Sequence, residues 1–78
     1  MKKLLNTLYV TTPDAYLTLD GENIVVRVRE QETGRVPLHN LENIVTFGWQ
    51  GASPALMRHA AELGIGLSFR DAAETSAL

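Results

Sequence analysis

The sequence predicts a small α+β domain that is mainly β, with about six strands arranged as β-hairpins and one crossover helix over about residues 54–63. Three observations lead to this prediction. Several short runs alternate apolar and polar residues, which is typical of strands. Gly, Pro and Asp lie between these runs, as expected for turns. One later segment has the periodicity of a helix. A chain of 78 residues with 45% hydrophobic residues is enough for one globular domain.

The first half of the chain predicts four strands joined by turns. The predicted strands are residues 4–10, 15–19, 24–30 and 35–38. Pro13 ends the first strand, and Gly21 supplies the positive φ angle that a tight hairpin turn requires. We expect the next turn at residues 32–34. Pro37 marks the fourth strand as the edge or the end of a sheet, because proline cannot donate a ladder hydrogen bond.

The second half predicts a strand, a helix and another strand. Residues 39–43 connect to it and could hold one helical turn, and residues 44–47 form a buried strand. Ser53 is a suitable N-cap and Pro54 a favourable first helical residue. Gly64 can adopt the left-handed conformation that ends a helix. The residues expected on the apolar helix face are Leu56, Met57, Ala60 and Leu63. Residues 65–69 then form a parallel strand, and both flanking strands are expected to be covered on both faces.

Composition limits the function classes. The net charge is −2 and the isoelectric point is about 5.5, whereas a domain that binds nucleic acid alone is usually basic. There is no cysteine, which excludes disulfides and thiol chemistry. The start, MKKLL, is similar to a secretory signal, but Asn6 and Thr7 break the apolar run and no cleavage site follows. We expect a cytoplasmic protein with no membrane segment.

No catalytic set can be assembled from the sequence. The glycine-containing loop 48–53 lacks the lysine of a phosphate-binding loop. His59 and Glu62 have a spacing that permits a shared metal ion, but no third ligand has convincing spacing, so a solvated polar helix face is favoured. We therefore predict no catalytic residue, no metal ligand and no cofactor in this chain.

Two features leave binding functions open. Trp49, between two glycines, could anchor a partner or stack on a base, or could fold back over the start of the helix, which is favoured. Arg27, Arg29 and Arg35 fall on neighbouring predicted strands and could form a basic patch. Because glutamates lie nearby in the sequence, a mixed and solvated sheet surface is the alternative.

Four segments together resemble one protein family. They are residues 19–21 (LDG), 34–45 (GRVPLHNLENIV), 51–57 (GASPALM) and 64–65 (GI). The family is the CRISPR-associated endonuclease and integrase of spacer acquisition, and the similarity is greatest to its subtype I-C branch. The resemblance covers residues 1–69 in order, and it implies that residues 1–70 are the β-rich N-terminal domain of such a protein, followed by a divergent tail at residues 71–78.

The resemblance also implies a division of labour. The C-terminal helical domain of the family, absent from this chain, carries the Glu, His and Asp residues that bind Mg²⁺ or Mn²⁺ and cleave DNA. The N-terminal domain dimerises and helps to hold double-stranded DNA. The expected partners are therefore a second copy or a full-length integrase, the second-numbered Cas protein through the full complex, and DNA. We expect the chain to be a truncated scaffold, inactive alone.

The resemblance and the basic residues together give four expected DNA-binding residues. Arg58 matches a helix arginine of relatives that contacts phosphate, although pairing with Glu62 is an equal alternative. Arg35 and Arg27 belong to the basic patch, and Tyr16 is a loose substitute for a tyrosine that wedges against the duplex in some relatives. Two further functions stay open: a stand-alone module that pairs through a sheet edge, and a weak DNA-binding module.

Overall fold

The structure, a computed structural model, describes residues 2–48 and 50–70 and contains seven strands and one α-helix. The strands are β1 (Lys2–Leu4), β2 (Thr7–Val10), β3 (Ala15–Asp20), β4 (Asn23–Val28), β5 (Gln31–Pro37), β6 (Asn43–Phe47) and β7 (Gly66–Arg70). The helix is α1 (Pro54–Glu62), and a 3-10 turn spans Leu38–Asn40. This confirms the predicted α+β, mainly β class, the crossover helix and the single helical turn. Trp49 and the predicted tail 71–78 lie outside the described residues.

The strands form two sheets. One has four strands in the order β1-β2-β6-β7, in which β2, β6 and β7 are parallel and β1 is antiparallel to β2. The other has three antiparallel strands in the order β3-β4-β5. The helix α1 connects β6 to β7, which lie side by side, as the sequence predicted. Pro37 is the last residue of β5, an edge strand, and this prediction is also confirmed.

One hydrophobic core joins the two sheets and the helix. The core side chains with at most 2% exposure are Leu8, Val10, Ala15, Leu17, Ile24, Val26, Leu38, Ile44, Leu56 and Ala60. They come from both sheets, from the 3-10 turn and from α1. Each chain segment alone exposes an apolar face, so the sheets are stable only when packed against each other.

The helix begins and ends where the sequence predicted, but its buried face is narrower. The Ser53 hydroxyl accepts a hydrogen bond from the Leu56 N–H at 3.2 Å, and Gly64 has φ +73°. Leu56 and Ala60 are buried, whereas Met57 is 40% and Leu63 46% exposed. The expectation that all four lie on one buried face is wrong for Met57 and Leu63, because α1 contacts the rest of the domain mainly along β3 and β7.

The single first strand predicted over residues 4–10 is wrong, because Leu5 and Asn6 form a turn between β1 and β2. Leu5 has φ +56° and is 93% exposed. The carbonyl of Asn6 accepts hydrogen bonds from the N–H groups of Glu42 and Asn43, at 2.8 and 3.2 Å. These bonds come from a segment far along the chain, and they fix the turn beside the start of β6.

The turn expected at residues 32–34 is also wrong, since those residues lie within β5. The turn falls at Arg29 and Glu30, which have φ +52° and +67°. A guanidinium nitrogen of Arg27 donates to the Glu30 carbonyl at 2.8 Å, and the hydroxyl of Thr33 donates to the Val26 carbonyl at 3.2 Å. The second bond lies where the β4–β5 register shifts. Side-chain bonds thus stabilise a turn that local sequence preferences disfavour.

Two backbone hydrogen bonds link the loop before α1 to the three-stranded sheet, and a third joins the 3-10 turn to the turn between β3 and β4. The loop before α1 runs beside β3, where the Leu17 N–H donates to the Gly51 carbonyl at 3.1 Å and the Ser53 N–H donates to the Leu17 carbonyl at 2.8 Å. The Leu38 N–H donates to the Glu22 carbonyl at 2.8 Å. The loop bonds partly cover the edge of β3.

By contrast, β7 has a neighbour on one side only among the described residues, and most of its residues are exposed. The expectation that it is covered on both faces is wrong.

Candidate nucleic-acid interface

Tyr16 and Arg27, two of the expected DNA-binding residues, lie directly opposite each other on β3 and β4. Their neighbours Leu17 and Val26 also pair and belong to the core. Because side chains alternate along a strand, Tyr16 and Arg27 lie on the outer face of the three-stranded sheet. Both are half-buried. The structure therefore places an aromatic ring and a guanidinium side by side on a surface that solvent reaches.

A cavity of about 340 Å³ opens beside this pair. It is lined by Asp14, Tyr16, Arg27, Arg29, Glu30 and Gln50. The two guanidinium groups are balanced by two carboxylates. The Arg29 Nε lies 3.5 Å from a carboxylate oxygen of Asp14. A guanidinium nitrogen of Arg27 donates a hydrogen bond to the backbone carbonyl of Glu30. Such a lining offers hydrogen-bond donors and acceptors around an aromatic ring, which can receive a planar polar group, but it has no net positive charge.

Arg35 lies on the same face, opposite Val25 on β4, but its charge is already paired. One guanidinium nitrogen is 2.8 Å from Asp20 and another is 3.0 Å from Glu32. The hydrogen bond from Arg35 lowers the pKa of Glu32, and the bonds to Glu32 and Asp20 raise the pKa of Arg35. Of the two predicted alternatives, a basic patch or a mixed and solvated sheet surface, Arg35 fits the second. A phosphate would have to compete with two carboxylates for its guanidinium group.

Arg58 lies on a different element, on the exposed side of α1. The alternative in which it pairs with Glu62 is not observed in the part of the chain that the structure describes. The Glu62 carboxylate instead lies 3.9 Å from Nδ1 of His59. Among the four expected DNA-binding residues, Tyr16 and Arg27 are therefore brought together and Arg35 lies one strand away. Arg58 is exposed on the helix and forms no ion pair with another residue in the ranges 2–48 and 50–70.

His59 has a role that the sequence did not predict. Its Nε2 lies 2.9 Å from the carboxylate of Glu22, in the turn between β3 and β4. This hydrogen bond raises the pKa of His59, and the charge of Glu62 adds to the effect. Glu22 is 37 residues away in the sequence, so no local pattern could have shown the pair. The prediction that His59 and Glu62 lie on a solvated polar helix face is thus only partly right, because His59 also connects α1 to the β3–β4 hairpin.

The sequence did not single out two polar residues of the cavity lining, Asp14 and Gln50. Asp14 lies in the turn directly before β3, whereas Gln50 reaches the cavity because the loop before α1 runs beside β3. Among residues 2–48 and 50–70, no group of three His, Cys, Asp or Glu side chains could hold a metal ion. In the same ranges, no helix is long and apolar enough to cross a membrane.

Comparison with known proteins identifies the family. The family model described as CRISPR associated protein Cas1 matches residues 8–77. Over 69 residues the chain is 46% identical to "CRISPR-associated endonuclease Cas1 1" of Chlorobaculum tepidum, covering 88% of this chain and 20% of that protein. Over 71 residues it is 48% identical to "CRISPR-associated endonuclease Cas1 2" of Rhodospirillum rubrum, covering 91% of this chain and 21% of that protein.

A solved structure shares the fold. A chain of the "Partial Cas6-RT-Cas1--Cas2 complex" superimposes with a TM-score of 0.74 over 86% of this chain and 20% of its own length, at 20% identity. The chain thus spans about a fifth of the length of the curated relatives that it matches. The family match and the two identities together show that the chain belongs to the Cas1 family of CRISPR-associated proteins.

Proposed function

We propose that the chain acts as the N-terminal scaffold and dimerisation domain of a CRISPR adaptation integrase, and that it does not cleave DNA alone. One observation carries the proposal. The chain is 46% and 48% identical to two proteins named as endonucleases over about nine-tenths of its own length, yet it spans only 20% and 21% of theirs. The proposal therefore assigns assembly to this segment, and nuclease chemistry to the part of the two relatives that it does not match.

The partners follow from the same relationship. The solved structure with the same fold is a complex that contains Cas1 and Cas2. We propose that this chain joins such an assembly in the cytoplasm through a second Cas1 chain, either another copy or a full-length integrase. The divalent metal, Mg²⁺ or Mn²⁺, would be held by the full-length integrase. No step is assigned to a metal on the residues described above.

Co-purification and a nuclease assay test this proposal together. The 78-residue chain is expressed with a tagged full-length relative, such as the Chlorobaculum tepidum Cas1, and tag-bound material is analysed. We expect the chain to co-purify, and we expect the chain alone to leave duplex DNA intact in Mg²⁺ or Mn²⁺. Cleavage by the chain alone that a chelator abolishes, or failure to bind any Cas1, would contradict the proposal.

A weak DNA-binding role is the second candidate, and the pairing of Tyr16 with Arg27 beside a cavity favours it. Arg58 and Arg35 provide a matched comparison, since Arg58 has no ion pair within the described part of the chain and Arg35 bonds two carboxylates. We expect Arg58→Gln to reduce the salt dependence of DNA binding by about one phosphate contact, and Arg35→Gln to change it little. Equal effects of the two substitutions, or no binding even at low salt, would exclude this assignment.

A further inference from the structure

The carboxylate of Glu62 lies between two basic side chains of α1. Residues three and four apart are neighbours on the surface of a helix. Glu62 follows His59 by three residues and Arg58 by four, so both side chains are within its reach. In the structure the Glu62 carboxylate lies 3.9 Å from Nδ1 of His59, and Arg58 has no ion pair within residues 2–48 and 50–70. One carboxylate thus has two possible partners, and it lies beside the histidine.

The imidazole of His59 presents both of its nitrogens to carboxylates. Its Nε2 lies 2.9 Å from Glu22, and its Nδ1 faces Glu62. A neutral imidazole has one N–H donor and one acceptor nitrogen, whereas a protonated imidazole has two donors. Only the protonated ring can therefore donate toward both carboxylates. The side chain of Glu62 is 66% exposed and that of His59 only 25%, so Glu62 is the side chain that is free to change its rotamer.

The charges around His59 favour its protonated form. The hydrogen bond to Glu22 is the main cause of the raised pKa of His59, and the second carboxylate adds to it. Helix α1 also contacts β3 and β7, whose charged residues are Asp20 and Arg70. Asp20 bonds Arg35 at 2.8 Å, and neither Asp20 nor Arg70 contributes to the pKa shift. The proton on His59 is therefore controlled by the two carboxylates that its ring contacts.

We propose that Glu62 changes partner when His59 loses its proton, and that this exchange controls whether Arg58 can bind a phosphate of DNA. The inference rests on the DNA-binding candidate above and extends it to regulation by pH. When His59 is charged, Glu62 stays at Nδ1 and Arg58 is available. When His59 is neutral, its one N–H donates to Glu22, the closer carboxylate, and the Nδ1 lone pair repels Glu62. Glu62 then pairs with Arg58, and a phosphate must compete with it.

The sign of the effect follows from the state of His59. DNA binding should weaken as the pH rises through the folded-state pKa of His59, which lies above the ordinary histidine value. An exposed ion pair at this helix spacing is weak, so we expect the affinity for DNA to fall about twofold. Loss of the imidazolium charge would itself weaken phosphate binding in the same direction. The two contributions differ in one respect, because only the exchange requires the carboxylate of Glu62.

Fluorescence anisotropy with a labelled duplex DNA at low salt separates these contributions. The affinity is measured from about pH 5.5 to about pH 8.5, a range that includes the ordinary histidine pKa and higher values. We expect Glu62→Gln to lose much less affinity than the unmodified chain, because no carboxylate then competes for Arg58. The matched control is Glu42→Gln, which removes an exposed carboxylate outside α1 and should keep the full loss. Equal losses in the two variants would overturn the proposal.

Two substitutions at the histidine contact give a second check. We expect His59→Gln to bind DNA at every pH as weakly as the unmodified chain does at high pH, because Glu62 is then free to pair with Arg58. Glu22→Gln should keep the size of the loss and move its midpoint to lower pH, because it removes the main cause of the raised pKa. The other histidine, His39, is exposed outside α1 and is unchanged in both variants. A pH dependence that persists in His59→Gln would contradict the assignment to His59.

NMR of the chain without DNA distinguishes failure of the exchange from failure of DNA binding. We expect the side-chain resonances of Arg58 to shift as His59 titrates in the unmodified chain, and to stay constant in Glu62→Gln. Constant Arg58 resonances in the unmodified chain would overturn the exchange, even if the chain binds DNA. If the resonances shift but duplex DNA does not bind at low salt, the exchange is supported and the DNA-binding candidate is overturned.

Discussion

The two sheets of this domain satisfy their polar groups in different ways. In the three-stranded sheet, tight two-residue turns join neighbouring strands, the hydroxyls of Thr18 and Thr33 bond to backbone carbonyls, and Arg35 bonds two carboxylates. In the four-stranded sheet, the buried hydroxyl of Thr46 has no hydrogen-bond partner among the described residues, and β7 lies at an open edge. The sheet of local hairpins therefore bonds these polar side chains within itself, whereas the sheet built by a crossover buries a hydroxyl that has no partner in the described ranges.

The largest expected effect comes from breaking the junction between the sheets. Leu17 is fully buried, and its backbone bonds the loop that leads into α1. We expect Leu17→Ala to lower the free energy of unfolding by about 2–5 kcal/mol, because it removes buried methyl groups and leaves a cavity. Urea denaturation measures the change. The control is Leu63→Ala, at a 46% exposed position, and a similar loss in both variants would contradict a core shared by the two sheets.

A substitution at Thr46 tests the contrast between the sheets. Unlike Leu17→Ala, it is expected to raise the free energy of unfolding. Thr46 is 1% exposed, and within residues 2–48 and 50–70 its hydroxyl has no hydrogen-bond partner. Valine has a similar shape without the buried hydroxyl, so we expect Thr46→Val to raise the free energy of unfolding by about 1 kcal/mol. Thr18→Val is the matched control, because it removes a hydroxyl that bonds the Val25 carbonyl at 3.4 Å. A gain at Thr18 or a loss at Thr46 in thermal unfolding would count against this difference.

Sequence patterns predicted the parts of the fold that local chemistry determines. Ser53, Pro54 and Gly64 each have a conformational preference that acts within a few residues, and α1 begins and ends accordingly. Gly21 has φ +61° in the turn between β3 and β4, as the hairpin requires. The turn at Arg29 and Glu30 could not be predicted, because side chains and a register shift stabilise positive φ angles at residues that rarely adopt them.

The candidate site was predicted less completely than the fold. The sequence named Arg27 as part of a basic patch and Tyr16 as a loose substitute for a wedge residue, but it could not show that the two lie opposite each other, since pairing register depends on distant contacts. The ion pairs of Arg35 and the bond between His59 and Glu22 also join residues from separate elements. Whether the four expected residues bind DNA stays a prediction.

Substitutions at Ser53, the N-cap of α1, test a contribution to stability that local chemistry alone should determine. We expect Ser53→Ala to lower the free energy of unfolding by about 1 kcal/mol, because the Leu56 N–H loses its acceptor. Ser53→Asp is the matched variant, since aspartate also caps helices well and should restore most of the stability. Circular dichroism during urea denaturation measures both. Equal stability of the alanine and aspartate variants would show that the cap contributes little.

The smallest expected effect is a pH dependence at the contact between α1 and the three-stranded sheet. Glu22 raises the pKa of His59 above its ordinary value, with Glu62 adding to the effect. A raised pKa in the folded state means that protonated His59 stabilises the fold. This contribution is fully present below the unfolded-state pKa and is lost as the pH rises through the folded-state pKa. Stability should therefore fall slightly with rising pH across this interval.

Titration of His59 by NMR distinguishes the contribution of Glu22 from that of other charges. We expect Glu22→Gln to lower the pKa of His59 clearly, because it replaces the carboxylate 2.9 Å from Nε2. Glu62→Gln should lower it less, because that carboxylate lies 3.9 Å from Nδ1. If both variants titrated like the unmodified chain, the contact would be absent in solution. The packing of Leu56 and Ala60 and the backbone bonds between β3 and the loop before α1 would then hold the helix against the hairpin.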